Sequence, residues 1–166
     1  MSVKFTIRDA VAADVPLIVG FVHNLASYEK LEDQVEVTAE LLAAAMFKLR
    51  ANLFGLIAEV DGVAAGFAVY FYNFSTFLGR RGIYLEDLYV DPAHRRRGIA
   101  KGMFKALARR AVDEGSGRFE WAVLNWNAPA LKFYKSIGAV PLSEWQTQRL
   151  TGDALRAAAS DTAGDK

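Results

Sequence analysis

The stretch His94-Arg-Arg-Arg-Gly-Ile-Ala-Lys-Gly102 places three consecutive arginines directly before a glycine and a run of small residues. An apolar strand pattern that ends at Val90 precedes it, and a helical pattern runs from Gly98 to about Glu114. The N-terminus of a helix leaves its first N–H groups without intrahelical acceptors and carries the positive end of the helix dipole. Small residues at Gly98 and Ala100 would let a phosphate approach these groups closely. The stretch therefore predicts a phosphate-binding helix start that follows a strand.

The arginines have two other interpretations. Such a basic run is often only a solvated face that leads into a surface helix, and a motif of this length matches by chance. A nucleic-acid patch fits less well, because the formal net charge is +1 and no nucleic-acid-binding motif accompanies the arginines. The pattern by itself does not decide between a phosphate site and a solvated face.

Length and composition narrow the class of protein. The 166 residues, 52% of them hydrophobic, suit one domain with a sizeable core. The absence of cysteine excludes disulfides, cysteine zinc sites and a cysteine-acyl intermediate, and the only histidines, His23 and His94, argue against a metal site. The N-terminus has no signal-peptide pattern, and the most apolar stretch, Val63 to Phe74, is too short to span a bilayer. We therefore expect a cytoplasmic protein that binds neither membrane nor nucleic acid.

The periodicity predicts the element order β-α-α-β-β-β-α-β-α-β in one mixed α/β domain. Helices should begin at Asp14, Thr38 and Asn127, and Asp61-Gly62 should form a hairpin turn. The helix from Gly98 should cross over between two central strands and bury Ile99, Met103, Leu107 and Ala111. The remaining predicted elements are strands at 3–10, 53–60, 63–74, 83–90, 118–126, 139–142 and 145–150, and a helical segment at the C-terminus.

The motif R-x-x-G-x-A at the start of a helix, after a strand ending in LYVDP, resembles the acetyl-CoA-binding motif of the GNAT superfamily of N-acetyltransferases. Three blocks, at 25–38 (LASYEKLEDQVEVT), 83–102 (IYLEDLYVDPAHRRRGIAKG) and 124–139 (LNWNAPALKFYKSIGA), are similar to its diamine (spermidine/spermine) and thialysine branch. The resemblance implies the GNAT fold: a central, mixed, largely antiparallel sheet, splayed at the acetyl-CoA site and flanked by about four helices. We expect one such domain over residues 1–156 and a flexible tail over 157–166.

The resemblance also implies acetyl-CoA as the acyl donor. Its pyrophosphate would lie over the backbone of Arg96 to Lys101, its pantetheine arm would pair with the strand at Leu88–Val90, and the last helix would contribute its first turn. The implied cofactor-binding residues are Leu88, Tyr89, Val90, Arg95, Arg96, Arg97, Gly98, Ile99, Ala100, Lys101, Asn127, Ala128, Pro129 and Ala130. The implied substrate-binding residues are Tyr28, Glu29, Glu86, Asp87, Glu120, Trp121, Ala122 and Glu144.

Two implied catalytic residues fit the chemistry of acyl transfer to an amine. An alkylamine has a pKa of about 10.4, so a base must remove its proton, and we expect Glu86 to do so through a water molecule. Neighbouring strand residues point to opposite faces, so Asp87 either serves the substrate from the adjacent surface or makes a structural hydrogen bond. Tyr134 stays protonated at neutral pH and can donate to the departing thiolate. Outside the resemblance, a pair such as Phe133-Tyr134 in an amphipathic helix is more often core packing than catalytic, and Glu86 could be a buried carboxylate that backbone donors satisfy.

The sequence does not identify which amine is the substrate. The acidic run from Glu29 to Glu36 could line an entrance for a cation or be a solvated surface, and Arg80 and Arg81 could hold the carboxylate of a thialysine-like substrate. A diamine, a polyamine and a thialysine-like amine are therefore one class of expected substrate, acetylated by direct transfer in a ternary complex. A protein or peptide acetyltransferase and a non-catalytic acyl-CoA sensor are the alternatives. The resemblance further implies a homodimer.

Overall fold

The computed structural model describes residues 4–160, which divide into two compact units, one up to Ala122 and one from Val123. The first unit contains all five strands and three helices, and the second contains two helices. The strands are β1 (Phe5–Asp9), β2 (Phe54–Val60), β3 (Val63–Ser75), β4 (Arg80–Val90) and β5 (Phe119–Trp121). The helices are α1 (Val15–Glu29), α2 (Ala39–Phe47), α3 (Ile99–Asp113), α4 (Ala128–Ser136) and α5 (Gly152–Ala159).

The strands form one sheet in the order β1-β2-β3-β4-β5. The first three pairings are antiparallel, whereas β4 and β5 are parallel and are connected through α3. The turn between β2 and β3 has positive φ at both Asp61 (51°) and Gly62 (79°), as a two-residue type I′ hairpin requires. The predicted mixed, largely antiparallel sheet, its hairpin and its crossover helix are thus confirmed.

The two faces of the sheet bury different helices. On the face that we call the α1 face, α1 and α2 pack on β3 and β4, and the Phe21 ring stacks on Phe67 with 5.6 Å between ring centroids. The opposite face, the α3 face, carries α3, whose Phe104 ring lies 5.5 Å from Phe119. The predicted stripe of α3 is buried along its whole length. Strand β3 is buried from Ala65 to Tyr70, as expected for a strand covered on both faces.

Helix α1 begins after Asp14, but the carboxylate of Asp14 does not cap it as predicted. Both oxygens of Asp14 accept hydrogen bonds from the guanidinium of Arg8, at 2.7 and 2.8 Å, and one also accepts from the backbone N–H of Val11. Arg8 bonds Glu59 as well, and it lowers the pKa of Asp14. The carboxylate of Asp14 therefore connects β1 to the start of α1 through hydrogen bonds. In contrast, Thr38 caps α2 as predicted, through a bond from the N–H of Leu41.

The second unit departs from the prediction. The strands predicted at Ala139–Leu142 and Trp145–Leu150 are wrong, because this segment has no regular structure, and the strand predicted over 118–126 is limited to Phe119–Trp121. Apolar alternation yields a strand only where another strand can pair with it, and the described part of this unit contains none. The predicted C-terminal helix is present as α5. It continues to Ala159, so the predicted tail begins as helix, and residues 161–166 lie outside the described chain.

Candidate active site

The start of α3 presents a series of backbone donors. Gly98 is the N-cap residue, with φ of 82°, and Arg96 also has a positive φ of 62°. The first helical hydrogen bond runs from the N–H of Gly102 to the carbonyl of Gly98, at 2.9 Å. Within residues 4–160, the N–H groups from Arg96 to Lys101 have no protein acceptor. A Cβ on Gly98 would have no neighbour within 4 Å, so the space beside this N-cap residue is open. Such an arrangement suits an anionic phosphate.

The edge of β4 next to this helix start is only partly paired. Strand β5 pairs with β4 at Ile83–Leu85 and goes no further, whereas β3 pairs with β4 as far as Val90. In the described chain, the segment Leu88–Val90 therefore has a strand neighbour on one side only. The carbonyl of Val90 accepts a hydrogen bond from Nε of Arg95 at 3.0 Å. An extended ligand with amide groups could add to this edge in the way that a peptide adds to a sheet.

A β-bulge alters the predicted placement of the two neighbouring carboxylates of β4. Tyr70 pairs with Leu85 and Val69 pairs with Asp87, so Glu86 is an extra residue on β4. The extra residue shifts the alternation by one position and places Asp87 on the α1 face, opposite Val69. The expectation that Glu86 and Asp87 point to opposite faces assumed an unbroken pleat, and the bulge interrupts the pleat at Glu86.

The carboxylate of Glu86 acts on the same α1 face. Tyr84 lies on that face with its ring 5.1 Å from Phe71, and burial together with the charges of Glu86 and Glu120 raises its pKa. Glu86 also raises the pKa of Asp87, although burial of Asp87 is the larger cause. The charge of Glu86 therefore disfavours a second negative charge at both Tyr84 and Asp87.

The charges of three carboxylates act on one another in this region, and we call Glu29, Glu86 and Asp87 the acidic cluster. Burial, followed by the charges of Glu86 and Glu29, raises the pKa of Asp87 to about 6. Burial also raises the pKa of Glu29 at the end of α1. Glu86 is exposed, so the cluster is open to solvent on one side. Its negative charge would attract an ammonium group and stabilise it there.

Arg95 differs from the two arginines that follow it. Its guanidinium lies over the ring of Tyr28 at 4.9 Å and over that of Tyr89 at 5.7 Å, so its side chain extends along the α1 face. Arg96, Arg97 and the nearby Lys101 are exposed. Of the predicted cofactor residues, Arg95 therefore connects the helix start with Tyr28, a predicted substrate residue.

The β5 residues predicted to contact substrate lie on two faces. Glu120 pairs with Tyr84 and shares the face of the acidic cluster. Trp121 lies on the α3 face, where its ring packs edge-on against Phe104 at 4.9 Å. Ala122 is exposed beyond the end of the strand.

The remaining predicted residues lie in the second unit. Asn127 caps α4, as predicted, by accepting a bond from the N–H of Ala130 at 3.3 Å, and Ala128 and Pro129 complete the first turn. Tyr134 is half-buried in the same helix, with its ring 5.5 Å from that of Phe133. Glu144 is exposed in the irregular segment between α4 and α5. The roles assigned to these residues stay predictions of the resemblance.

Sequence reasoning missed Asn73 and Arg118, which both contact Glu120, at 2.9 and 2.8 Å. It also considered Arg81 for a substrate carboxylate, but Arg81 pairs with Glu114 at 3.2 Å and lies over the ring of Tyr72, on the α3 face. Neither Asn73 nor Arg118 belongs to a sequence motif. Their proximity to Glu120 follows from the register of the strands, which the sequence does not show.

Two further features concern ions and membranes. Within residues 4–160, no three His, Asp or Glu side chains are placed to hold a metal ion. No helix of that range combines the length and apolar character needed to cross a bilayer.

Known proteins provide an independent comparison. The model of the acetyltransferase (GNAT) family matches residues 22–139. A thialysine N-epsilon-acetyltransferase of Sus scrofa is 38% identical over 161 residues, covering 90% of this chain and 94% of that protein. The L-ornithine N5-acetyltransferase NATA1 of Arabidopsis thaliana is 45% identical over 97 residues, which are 58% of this chain and 42% of the relative. An integron cassette protein from the mobile metagenome of V. cholerae has a similar structure, with a TM-score of 0.80 and 27% identity, covering 97% of this chain and 99% of that one.

Proposed function

Because this chain belongs to the acetyltransferase (GNAT) family, we propose that it transfers the acetyl group of acetyl-CoA to a primary amine of a small molecule. The substrate class is a diamine, a polyamine or a thialysine-like amine, and transfer is direct within a ternary complex. The observation that carries this proposal is the acidic cluster, whose two β4 residues, Glu86 and Asp87, come a few residues before the partly paired edge and the start of α3. The site thus combines a place for an ammonium with places for a phosphate and an amide-bearing chain.

The cofactor side of the proposal depends mainly on backbone groups. The donors from Arg96 to Lys101 would hold the pyrophosphate, and the edge at Leu88–Val90 would pair with the pantetheine amides. The resemblance also assigns the first turn of α4, from Asn127, to cofactor binding. When bound, acetyl-CoA supplies an activated carbonyl carbon and a thiolate leaving group.

The amine side depends on the charges of the acidic cluster. The cluster binds the substrate as an ammonium, and Glu86 then takes one proton from it through a water molecule, which leaves the nitrogen lone pair available. Asp87, with a pKa of about 6, is ionised at neutral pH and keeps a negative charge beside the nitrogen. As the nitrogen bonds to the carbonyl carbon and the carbon–sulfur bond breaks, Tyr134 would give its phenolic proton to the thiolate. The second proton that the nitrogen loses would return to the phenolate through solvent. The chain has no cysteine that could carry the acetyl group between the two substrates.

A panel of amines tests the proposal. Purified protein is incubated with acetyl-CoA and with putrescine, spermidine, L-lysine, L-ornithine, thialysine or a lysine-containing peptide, and thiol release is followed. We expect turnover with at least one small amine and little with the peptide. Turnover with the peptide alone would identify a peptide acetyltransferase. Tight acetyl-CoA binding without turnover on any amine would favour an acyl-CoA sensor and overturn the proposal.

Replacing Asp87 with asparagine should stabilise the protein and weaken its activity. The pKa of Asp87 is higher in the folded chain than its ordinary 3.8, so ionisation above pH 6 costs the folded state up to about 3 kcal/mol. A neutral amide would remove that cost, so the Tm at pH 7.5 should rise, and the difference in Tm should vanish as the pH falls below 4. The kcat/KM for a diamine should fall about tenfold through loss of one charge.

The matched control for this substitution is Asp61→Asn in the hairpin turn, where Asn-Gly keeps the type I′ geometry. It should change neither activity nor the pH dependence of stability. In the wild-type protein, kcat/KM should decrease as the pH falls through about 6, because protonation of Asp87 removes its charge. A lower Tm for Asp87→Asn at pH 7.5 would contradict the burial of an ionised carboxylate.

Two further expectations accompany the proposal. We propose a homodimer, which light scattering coupled to size-exclusion chromatography would measure, and a cytoplasmic location, which cell fractionation would measure. Both follow from the resemblance and from the sequence.

A further inference from the structure

Arg95 makes its backbone contact at the partly paired edge of β4, where the pantetheine arm is proposed to lie. Its Nε donates to the carbonyl of Val90 at 3.0 Å. The N–H of Asp91, on the same peptide group, donates to Ala65 of β3 at 2.9 Å. Because the C=O and N–H of a trans peptide point in opposite directions, the Val90 carbonyl points away from β3, towards that edge. At 3.0 Å, Nε of Arg95 therefore occupies the position that a backbone nitrogen of an added strand would take.

The guanidinium of the same side chain lies beside the predicted amine site. It covers the ring of Tyr28 at 4.9 Å and approaches that of Tyr89 at 5.7 Å, and the Tyr89 ring lies 5.8 Å from Phe21 on the α1 face. Tyr28 directly precedes Glu29 of the acidic cluster in the last turn of α1. The face of an aromatic ring attracts ammonium groups as it attracts guanidinium groups. A substrate amine at this end of the cluster would therefore compete with Arg95 for the ring of Tyr28.

These contacts of Arg95 are weak enough to be exchanged. Arg95 and Tyr28 are both exposed, and a cation–π contact at an exposed site changes an affinity by only about two- to fivefold. Acetyl-CoA offers a new partner to each group: a pantetheine N–H for the Val90 carbonyl, and a pyrophosphate, beside the N–H groups that begin at Arg96, for the guanidinium. Since like charges repel, departure of the guanidinium also removes a cation from the path of an incoming ammonium.

We propose that Arg95 couples the two substrate sites, because its side chain holds the backbone acceptor of one and the aromatic ring of the other at the same time. When the Val90 carbonyl accepts from a pantetheine amide instead, the guanidinium leaves Tyr28 for the pyrophosphate, and the ring becomes available to the ammonium of the amine. Arg95 is thus a positioning residue through which each substrate tightens the binding of the other. This inference rests on the proposed acetyltransferase function and specifies how its two substrates influence each other.

The test measures the dissociation constants of putrescine and of thialysine by isothermal titration calorimetry, with and without CoA, which has no acetyl group to donate. CoA is held far above its own dissociation constant for each variant. The coupling ratio is the amine dissociation constant without CoA divided by that with CoA, and we expect it to be about five for at least one amine in the wild-type protein. Arg95→Ala should bring the ratio close to 1, because it tightens amine binding without CoA by about the same fivefold.

Arg109→Ala, a change at an exposed arginine of α3, is the matched control and should keep the wild-type ratio. Arg95→Gln can still donate to Val90 but has no charge to place over Tyr28, so its ratio should fall as in the alanine variant. It decides the question if Arg95→Ala does not fold.

A wild-type ratio of 1 or less for both amines would overturn the inference, and so would amine binding without CoA that neither substitution at Arg95 tightens. Turnover in the amine panel would then leave the acetyltransferase proposal in place. If neither amine binds with or without CoA, the inference also falls, and absence of turnover across the panel would remove the acetyltransferase proposal with it.

Discussion

Replacing Gly98 with valine is expected to raise the dissociation constant for acetyl-CoA at least about 100-fold, equivalent to about 3 kcal/mol. Gly98 has φ of 82°, a left-handed conformation that a β-branched residue adopts only with strain. No protein atom lies within 4 Å of the Cβ position, so the valine would not clash with the chain. It would instead fill the space in front of the N–H groups at the start of α3, where the phosphate is proposed to lie. Isothermal titration calorimetry with acetyl-CoA measures the effect.

The matched control is Gly62→Val in the β2–β3 hairpin. Gly62 has φ of 79° and an equally open Cβ position, so valine should introduce comparable strain there. Both variants should lose stability to a similar extent in thermal unfolding, but only Gly98→Val should lose the cofactor. Equal acetyl-CoA affinity in the two variants would show that the start of α3 is not the phosphate site.

Replacing Tyr134 with phenylalanine is expected to lower kcat by about 100-fold or more, because a positioned general acid contributes roughly 10²–10⁴ to a rate. Phenylalanine keeps the ring and its contact with Phe133 but cannot protonate the leaving thiolate. The affinity for acetyl-CoA should change little, since the proposed cofactor contacts are made by backbone groups elsewhere. Steady-state kinetics with saturating amine and calorimetry with acetyl-CoA together measure the two effects.

Tyr72→Phe is the matched control for that substitution. Tyr72 donates to Glu114 at 2.8 Å on the α3 face, away from the acidic cluster, so its loss should affect stability slightly and kcat not at all. If Tyr134→Phe retained the wild-type kcat, water rather than Tyr134 would supply the proton, and Tyr134 would be a packing residue of α4.

The elements that sequence predicts well are those whose signal is local. The stripe of α3, the caps at Thr38 and Asn127 and the Asp61-Gly62 turn each depend on residue types within a few positions, and all are present. The resemblance added the GNAT fold and the family, which the comparison with known proteins confirms. It did not place the side chains of the amine site.

The features that sequence did not predict depend on pairing between distant strands. The extra residue at Glu86 is visible only in the register of β4 against β3, and it places Asp87 opposite Val69 on the α1 face. The contact of Asn73 with Glu120 likewise requires three aligned strands. The strands predicted from Ala139 onward are absent for the same reason. An apolar pattern does not specify whether another strand has a free edge with which it can pair.

The two halves of the proposed site have different tolerance to change over evolutionary time. The groups assigned to the cofactor at Leu88–Val90 and from Arg96 to Lys101 are mainly main-chain atoms, which most substitutions leave in place. The groups assigned to the amine are side chains on the α1 face, and each can be exchanged without moving the backbone of α3. A lineage could therefore acquire a new acyl acceptor through a few substitutions on one face of the sheet while keeping its acyl donor.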